Sequence, residues 1–512
     1  MPHEFYILLP RLAWLCFVFA VGGCVGSLIN VLAYRLPRGI GVVTPASRCP
    51  YCETKLRWKD NIPIVGWLFL RGRCRYCRTP ISPEYPLIEL AVACLFAGFY
   101  VLWYMIPENR GTTPGFEVLG LDLGAIRPEW TLVDRFNGVP MQSAPLFFVL
   151  LLLLGTLFAM TLTDLKTTMI PLVLPWFATL VGIAGHTAYA GYMSLQDEEL
   201  ARVADGARWS IPTYGWTGLG LGAGGVLGIG VSLVLLKLGL IRRSFADAES
   251  WEAQHREELG LGASDSNAAE NGDASETGQW KPGRGWMRTP LVIVASTLAC
   301  AVAGGIVAGA LGTAPGVGVI IGTAAGPVVA GVPLRLLTPA PPKADQPTDA
   351  EVWTAYPHAR REMVKELAFL APPVALAWLG YVLAGRAEGL IPLWLDVLGG
   401  ALLGYLVGGG VVWAIRIGGS LGFGKEAMGL GDVHLMAAVG ACLGWIDATL
   451  AFFLASLVGI LLTIYTLALS RSVARAMPFG PALAIATVLV LLGKPAIEHG
   501  LTLITGRGID LP

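Results

Sequence analysis

The chain has 512 residues, of which 54% are hydrophobic and only 14% are charged. This composition is too apolar for a soluble domain and predicts a polytopic membrane protein. The formal net charge is zero, which argues against a nucleic-acid partner because binding to phosphates calls for a basic excess.

Apolar runs long enough to cross about 30 Å of hydrocarbon indicate an all-α integral membrane protein with about twelve transmembrane helices, surrounded by membrane lipid. The approximate spans are 8–32, 86–106, 145–163, 170–192, 215–240, 289–311, 315–336, 366–385, 391–414, 432–447, 449–469 and 479–495. The first run ends in the polar stretch Ser27-Leu28-Ile29-Asn30. It is therefore interpreted as a retained helix rather than a cleaved signal peptide.

The distribution of cations predicts the orientation of these helices. With the N-terminus outside, the inner loops hold most of the Lys and Arg residues, and Arg416 is counted among those loop cations. Cytoplasmic loops carry such an excess, so we expect this orientation. It places Asp164, Asp432 and a Cys-rich loop at the cytoplasmic face.

The Cys-rich loop contains two CxxC pairs, Cys49-Pro50-Tyr51-Cys52 and Cys74-Arg75-Tyr76-Cys77, with 21 residues between them. Four thiolates in this pattern can close a tetrahedral zinc site, which would stabilise a loop too small for a core of its own. Two disulfides are the competing interpretation, but a reducing cytoplasmic side disfavours them. A redox role lacks the expected fold context. We therefore predict a structural zinc ion with these four cysteines as ligands.

Two acids stand at the edges of apolar runs. Asp164 ends one run shortly before Ile170-Pro171, and Asp432 follows Gly429-Leu430-Gly431 where another run begins. Asp432 could simply cap a helix, and Asp164 could lie in a polar turn. Ionisable groups at the edge of hydrocarbon are nevertheless functional candidates. Both acids are also expected at the same membrane face although 268 positions (432 minus 164) separate them in sequence.

Two carboxylates brought together cannot both ionise easily, so one stays protonated while the other acts as a base. Such a pair can activate a water molecule and protonate a leaving amine, which is the chemistry of aspartic peptidases. Gly429 and Gly431 would let the backbone of an extended peptide approach the site. Asp164 and Asp432 are therefore the predicted catalytic residues.

Five motifs, in order, resemble those of bacterial type IV prepilin peptidases. They are residues 26–37 (GSLINVLAYRLP), the Cys-containing segment 47–90, the Asp164 segment with Ile170-Pro171, the signature 424–432 (GKEAMGLGD), and Pro478-Phe479-Gly480-Pro481. The resemblance covers about half of the chain and is specific because the motifs agree in order.

The resemblance implies a membrane-embedded aspartic endopeptidase of the GxGD type that removes the leader from prepilins and pseudopilins at the cytoplasmic face of the bacterial inner membrane. By position, Asp164 and Asp432 correspond to the family's catalytic pair. Many members also methylate the new N-terminus with S-adenosylmethionine as donor, and the N-terminal portion is associated with that activity. The residues that would bind this donor are not identified by the sequence.

Members of that family are usually shorter, and the extra length here falls mainly between the two acids. The expected organisation is a first helix (1–32), a cytoplasmic Cys-rich domain (33–85), helices with the first acid (86–192), an insertion (193–365) and a peptidase region (366–512). Within the insertion, the polar composition of about 244–285 predicts a disordered linker. Residues 289–336, rich in Gly, Ala and Val, predict two closely packed helices with a structural role.

Alternative functions fit fewer of these observations. Another GxGD intramembrane peptidase would share the acid pair but leave the CxxC pairs unexplained. A proton-coupled transporter would place its acids near mid-membrane and show matched halves, which the sequence lacks.

His434 stands where the family more often has Lys, and its position two residues after Asp432 predicts a side chain that faces solvent or headgroups.

Overall fold

The computed structural model describes residues 3–105, 117–118, 121–122, 144–203, 211–247, 250–251, 358–470 and 478–506. The α-helices in these ranges are α1 (His3–Arg35), α2 (Val65–Phe69), α3 (Glu84–Tyr100), α4 (Ala144–Thr167), α5 (Val173–Val203), α6 (Gly215–Lys237), α7 (Ala359–Ala384), α8 (Leu393–Phe423), α9 (Leu430–Leu443), α10 (Trp445–Ser470) and α11 (Gly480–Thr505). Two-residue strands, β1 (Glu117–Val118) and β2 (Leu121–Asp122), pair in antiparallel fashion.

Seven helices of the described ranges are long and apolar enough to cross a membrane. This confirms a predominantly helical, multi-pass architecture. Each predicted apolar run coincides with a described helix except 289–311 and 315–336, which lie outside the described residues. Most of the predicted linker also lies outside them, but Ser244–Asp247 forms a turn at its start.

The break between α9 and α10 lies at Gly444, earlier than the sequence prediction of 447–449. Gly444 has φ 87°, a conformation that favours glycine because it has no Cβ. A Cβ at this position would also lie 2.5 Å from Cδ of Pro212. The requirement for glycine in this corner therefore determines where α9 ends.

Helix α9 is the centre of the peptidase half. It is buried almost continuously from Asp432 to Leu443 and packs against α5, α8 and α10. The contact with α8 is closest at Gly404 and Gly440, where an added Cβ on either residue would collide with the other's backbone carbonyl. Small residues allow two helix backbones to approach in this way. Both ends of the Gly424–Gly429 loop, which precedes α9, are thereby held on rigid elements.

The N-terminal half is an antiparallel pair of α1 and α3, against which α4 packs. Asn30 Nδ2 donates to the Tyr85 carbonyl over 3.2 Å and aligns the two helices. Residues 36–83 leave α1 and return at α3, so the Cys-rich segment lies at the end where Arg35 and Glu84 are placed.

Candidate active site

Asp432 is the third residue of α9, and its carboxylate accepts a hydrogen bond from the backbone amide of Gly429. Gly429 is the extended N-cap residue, with φ −72° and ψ 149°. An acid at this position that reaches back to the N-cap amide supplies one half of a capping box, since Gly429 has no side chain to supply the other. The capping role considered from sequence is therefore present, and it fixes the carboxylate at the start of the helix with only 9% of the residue exposed.

Asp164 belongs to the last turns of α4 rather than to a polar turn, and it is 6% exposed. The backbone amide of Gly480, the first residue of α11, donates to its carboxylate. A Cβ on Gly480 would lie 2.5 Å from Asp164 Oδ2, so only glycine leaves room for this carboxylate in its present position.

The two acids predicted from sequence are brought together by the fold. Their carboxylates interact electrostatically, and the Ile170 side chain lies beside both of them. An added Cβ on Gly431 would be 3.1 Å from Ile170 Cβ, and one on Gly480 would be 3.5 Å from Ile170 Cδ1. The site is thus built from the ends of α4, α9 and α11 and from the α4–α5 turn. Two neighbouring carboxylates of this kind can divide the roles of base and acid.

The motif glycines have distinct surroundings. Gly429 supplies the amide bonded to Asp432, and a Cβ there would be 3.8 Å from Asp432 Oδ2. Gly431 faces Ile170 at a separation that leaves little room for a side chain. His434 is half-buried, with its ring 6.3 Å from that of Trp176 on α5.

A buried ionic cluster that was not predicted from the sequence lies beside this site. Arg416 was assigned to an inner loop, but α8 continues to Phe423, and Arg416 is fully buried within it. Its guanidinium contacts Glu366 of α7 and Glu426 of the GxGD loop. Arg416 stands two positions after the predicted membrane run 391–414. An ionisable residue so close to a membrane run is a candidate functional residue, and this was the available signal.

The four predicted metal ligands Cys49, Cys52, Cys74 and Cys77 converge, with all their sulfur atoms within 4.8 Å of one another. The two CxxC segments fold in the same way. The Cys49 amide donates to the Thr54 carbonyl over 3.1 Å, and the Cys74 amide donates to the Thr79 carbonyl over 2.9 Å. All the cysteines in the described ranges are free rather than disulfide-bonded. This arrangement fits a metal ion.

The thiols of this cluster differ in acidity. Hydrogen bonds from the side chain and backbone of Thr79 lower the pKa of Cys77 to about 6. Burial raises the pKa of Cys49 to about 11. Because the thiolate is the form that binds metals, Cys77 is better prepared than Cys49 to bind an ion.

The Cys-rich segment is attached to the same end of the helices as the acid pair. The Ile64 amide donates to Glu89 Oε2 on α3 over 2.6 Å. Glu84, the first residue of α3, forms an ion pair of 2.5 Å with Lys166, two positions after Asp164. The Cys-rich segment and Asp164 therefore share one end of the helical bundle.

Two family models match the chain. Residues 20–103 match the Bacterial Peptidase A24 N-terminal domain, and residues 371–464 match the Type IV leader peptidase family. The first range includes the four cysteines and the second includes Asp432, whereas Asp164 lies in neither.

Several relatives carry the name prepilin leader peptidase/N-methyltransferase. One from Klebsiella pneumoniae is 37% identical over 202 residues, which are 37% of this chain and 77% of the relative. One from Myxococcus xanthus is 51% identical over 80 residues, covering 16% and 24% of the two chains. One from Pectobacterium carotovorum is 29% identical over 227 residues, covering 38% and 67%.

No solved structure matches the chain significantly. The match to the Klebsiella protein exceeds 30% identity and spans more than two thirds of that relative. Together with the two family models, it identifies this chain as a member of the type IV leader peptidase family.

Proposed function

We infer that this protein is a membrane-embedded aspartic endopeptidase that cleaves the leader from type IV prepilins and pseudopilins, with Asp164 and Asp432 as the catalytic pair. The single observation that carries this assignment is that two buried carboxylates, 268 positions apart in the chain (432 minus 164), lie close together. The chain that brings them together belongs to a family of leader peptidases.

The proposed reaction uses one acid as a base and the other as a proton donor. The ionised carboxylate takes a proton from water as the water oxygen attacks the scissile carbonyl carbon. The protonated carboxyl gives its proton to the amide nitrogen, and the C–N bond breaks to release a carboxylic acid and an amine. The two acids titrate as a unit, so the roles of base and acid belong to the pair.

The substrate is proposed to approach from the cytoplasmic side of the bacterial inner membrane, where its charged leader remains while its apolar stem lies among membrane lipids. The excess of Lys and Arg in the inner loops supports this orientation. With the two apolar runs outside the described residues, the proposed number of transmembrane helices stays at about twelve. The proposed organisation is a first helix (1–32), a Cys-rich domain (33–85), helices with the first acid (86–192), an insertion (193–365) and a peptidase region (366–512).

Zinc is the metal proposed for the four cysteines. Tetrahedral thiolates about 2.3 Å from zinc lie about 3.8 Å from one another, and Cys49 Sγ and Cys77 Sγ are separated by 3.8 Å. This pair of thiols therefore already has the spacing that the ion requires, and all four sulfur atoms lie within 4.8 Å of one another. The ion would stabilise this small domain rather than take part in peptide cleavage.

Methylation of the new N-terminus, with S-adenosylmethionine as donor, is proposed as a second activity. The support is the shared name of the relatives, which includes N-methyltransferase. Residues 20–103, which match the family's N-terminal domain, include the Cys-rich segment, and the resemblance to the family associates this N-terminal portion with methylation.

The decisive experiment measures leader cleavage of a prepilin substrate by wild type, Asp164→Asn and Asp432→Asn in membranes with equal amounts of enzyme. Both variants are expected to lose cleavage. Asp447→Asn is the matched control, because Asp447 is also a buried acid; it lies on α10 and pairs with Lys494 of α11 over 2.8 Å. Retention of most activity by either active-site variant would remove that acid from the catalytic pair.

A further inference from the structure

All three nitrogens of the Arg416 guanidinium donate to partners. Nε and Nη2 donate to Glu366 on α7, with the shortest of these contacts at 3.0 Å. Nη1 donates to Glu426 Oε1 over 2.5 Å and to the Met428 carbonyl oxygen. The planar, forked shape of arginine therefore fixes two helices and one loop relative to each other.

The carboxylate partners are themselves held. Trp413 Nε1 donates to Glu366 Oε2 over 2.7 Å, and the Glu366 side chain is buried. Glu426 belongs to the Gly424–Gly429 loop, and its side chain is 41% exposed. A buried charge is tolerated only when it is paired and hydrogen-bonded, so the position of Arg416 depends on Glu366.

The loop contacts of Arg416 lead directly to Asp432. Met428 precedes Gly429, whose amide binds the Asp432 carboxylate. Ser420 Oγ accepts a hydrogen bond from the Ala427 amide over 3.0 Å and fixes the loop on its other side. The Arg416 charge is also within electrostatic range of Asp432.

The segment between α5 and α8 contributes to this arrangement. Helix α7, which carries Glu366, begins within the predicted insertion. The Phe245 ring, in the turn after α6, lies 5.4 Å from Arg416 Cζ. The Phe245 amide donates to Glu362 Oε2 on α7 over 2.8 Å. The insertion thus supplies the Phe245 ring beside Arg416.

We propose that Arg416 and Glu366 are positioning residues for cleavage, which set the Gly424–Gly429 loop and through it the carboxylate of Asp432. This inference rests on the proposed peptidase function. It assigns to these two residues a role in the geometry of the reaction, beyond helix packing. A group misplaced by about 1 Å can cost about a hundredfold in rate.

The test compares Arg416→Gln, Arg416→Lys, Glu366→Gln and the double variant Glu366→Gln/Arg416→Gln in detergent-solubilised enzyme. Leader cleavage gives kcat and KM, and thermal unfolding reports folded protein. Arg416→Gln is expected to lower kcat about a hundredfold with little change in KM. Arg416→Lys keeps the charge but not the fork, so it should restore kcat only in part.

The double variant separates positioning from a purely structural role. Removing both charges leaves no unpaired buried ion, so its melting temperature should return toward wild type. Its kcat should stay low, since no side chain reaches the Met428 carbonyl oxygen. Recovery of kcat together with stability in the double variant would overturn the proposal. So would a loss of cleavage in Arg416→Gln that matches the fraction of unfolded enzyme.

Two controls distinguish failure of this inference from failure of the proposed function. Wild type must cleave the prepilin, and Asp432→Asn must not. If those results hold while all Arg416 variants keep wild-type kcat, only the positioning role is refuted. Asp447→Asn, which breaks a buried ion pair elsewhere, should change stability without lowering kcat per folded molecule.

Discussion

Replacing Gly480 by alanine should separate catalysis from folding. The added Cβ would lie 2.5 Å from Asp164 Oδ2, whereas ordinary contacts begin at about 3.4 Å. The carboxylate must therefore move by about 0.9 Å (3.4 minus 2.5 Å). Because it is the end of a rotatable side chain, it can move without displacing a helix. Displacement of this proposed catalytic carboxylate by this distance should lower kcat about a hundredfold.

The matched control is Gly493→Ala on the same helix, where an added Cβ meets no atom within 4 Å. Alanine in a helix interior is favoured over glycine by roughly 0.5–1 kcal/mol, so this control should be fully active and slightly more stable. The assay measures initial rates of leader cleavage beside thermal unfolding in detergent. If Gly480→Ala keeps more than half of the wild-type kcat, the assignment of Asp164 to the reaction is refuted.

Three further outcomes follow from the Cys-rich segment and the helix contacts. Elemental analysis of purified protein should find about one zinc per chain, and Cys49→Ser should lose it; full metal content in that variant would contradict the ligand set. After metal removal, iodoacetamide at pH 7 should modify Cys77 before Cys49, because a thiol with a pKa of about 6 is largely ionised there and one with a pKa of about 11 is not. Lowering the pH to 5 should slow Cys77 labelling about tenfold, as read by mass spectrometry, and an unchanged rate would contradict that pKa. Gly404→Ala should lower the free energy of unfolding by about 1–3 kcal/mol, because its Cβ meets the Gly440 backbone, whereas Gly410→Ala on the same helix has open space and should not; equal melting temperatures would argue against this contact.

The sequence predicted the acids and the thiols because each stands in a short, local pattern. Asp432 follows a Gly-x-Gly motif, Asp164 ends an apolar run, and the cysteines form two CxxC pairs. Hydropathy alone also located the described membrane helices, since a span of hydrocarbon fixes their length. These features need no knowledge of which helix packs on which.

Other parts of the site depend on contacts between distant segments. Arg416 and Glu366 are 50 positions apart, so neither helical nor strand periodicity predicts that they meet. Gly480 was part of a predicted motif, but its closeness to Asp164 arises from the packing of α11 on α4. The position of His434 beside Trp176 likewise depends on α5. Helical spacing predicts a direction around one helix but does not identify the neighbour found there.

The length of α9 has a consequence for the path of water. Its 14 residues rise about 21 Å, whereas hydrocarbon in a typical bilayer is about 30 Å thick. The two ends of α9 therefore cannot both reach a headgroup layer unless the bilayer thins around the protein. In the proposed orientation the end of α9 that carries Asp432 lies at the cytoplasmic headgroups, where the water consumed by peptide hydrolysis is at hand, and the Gly444 end stops short of the opposite headgroup layer.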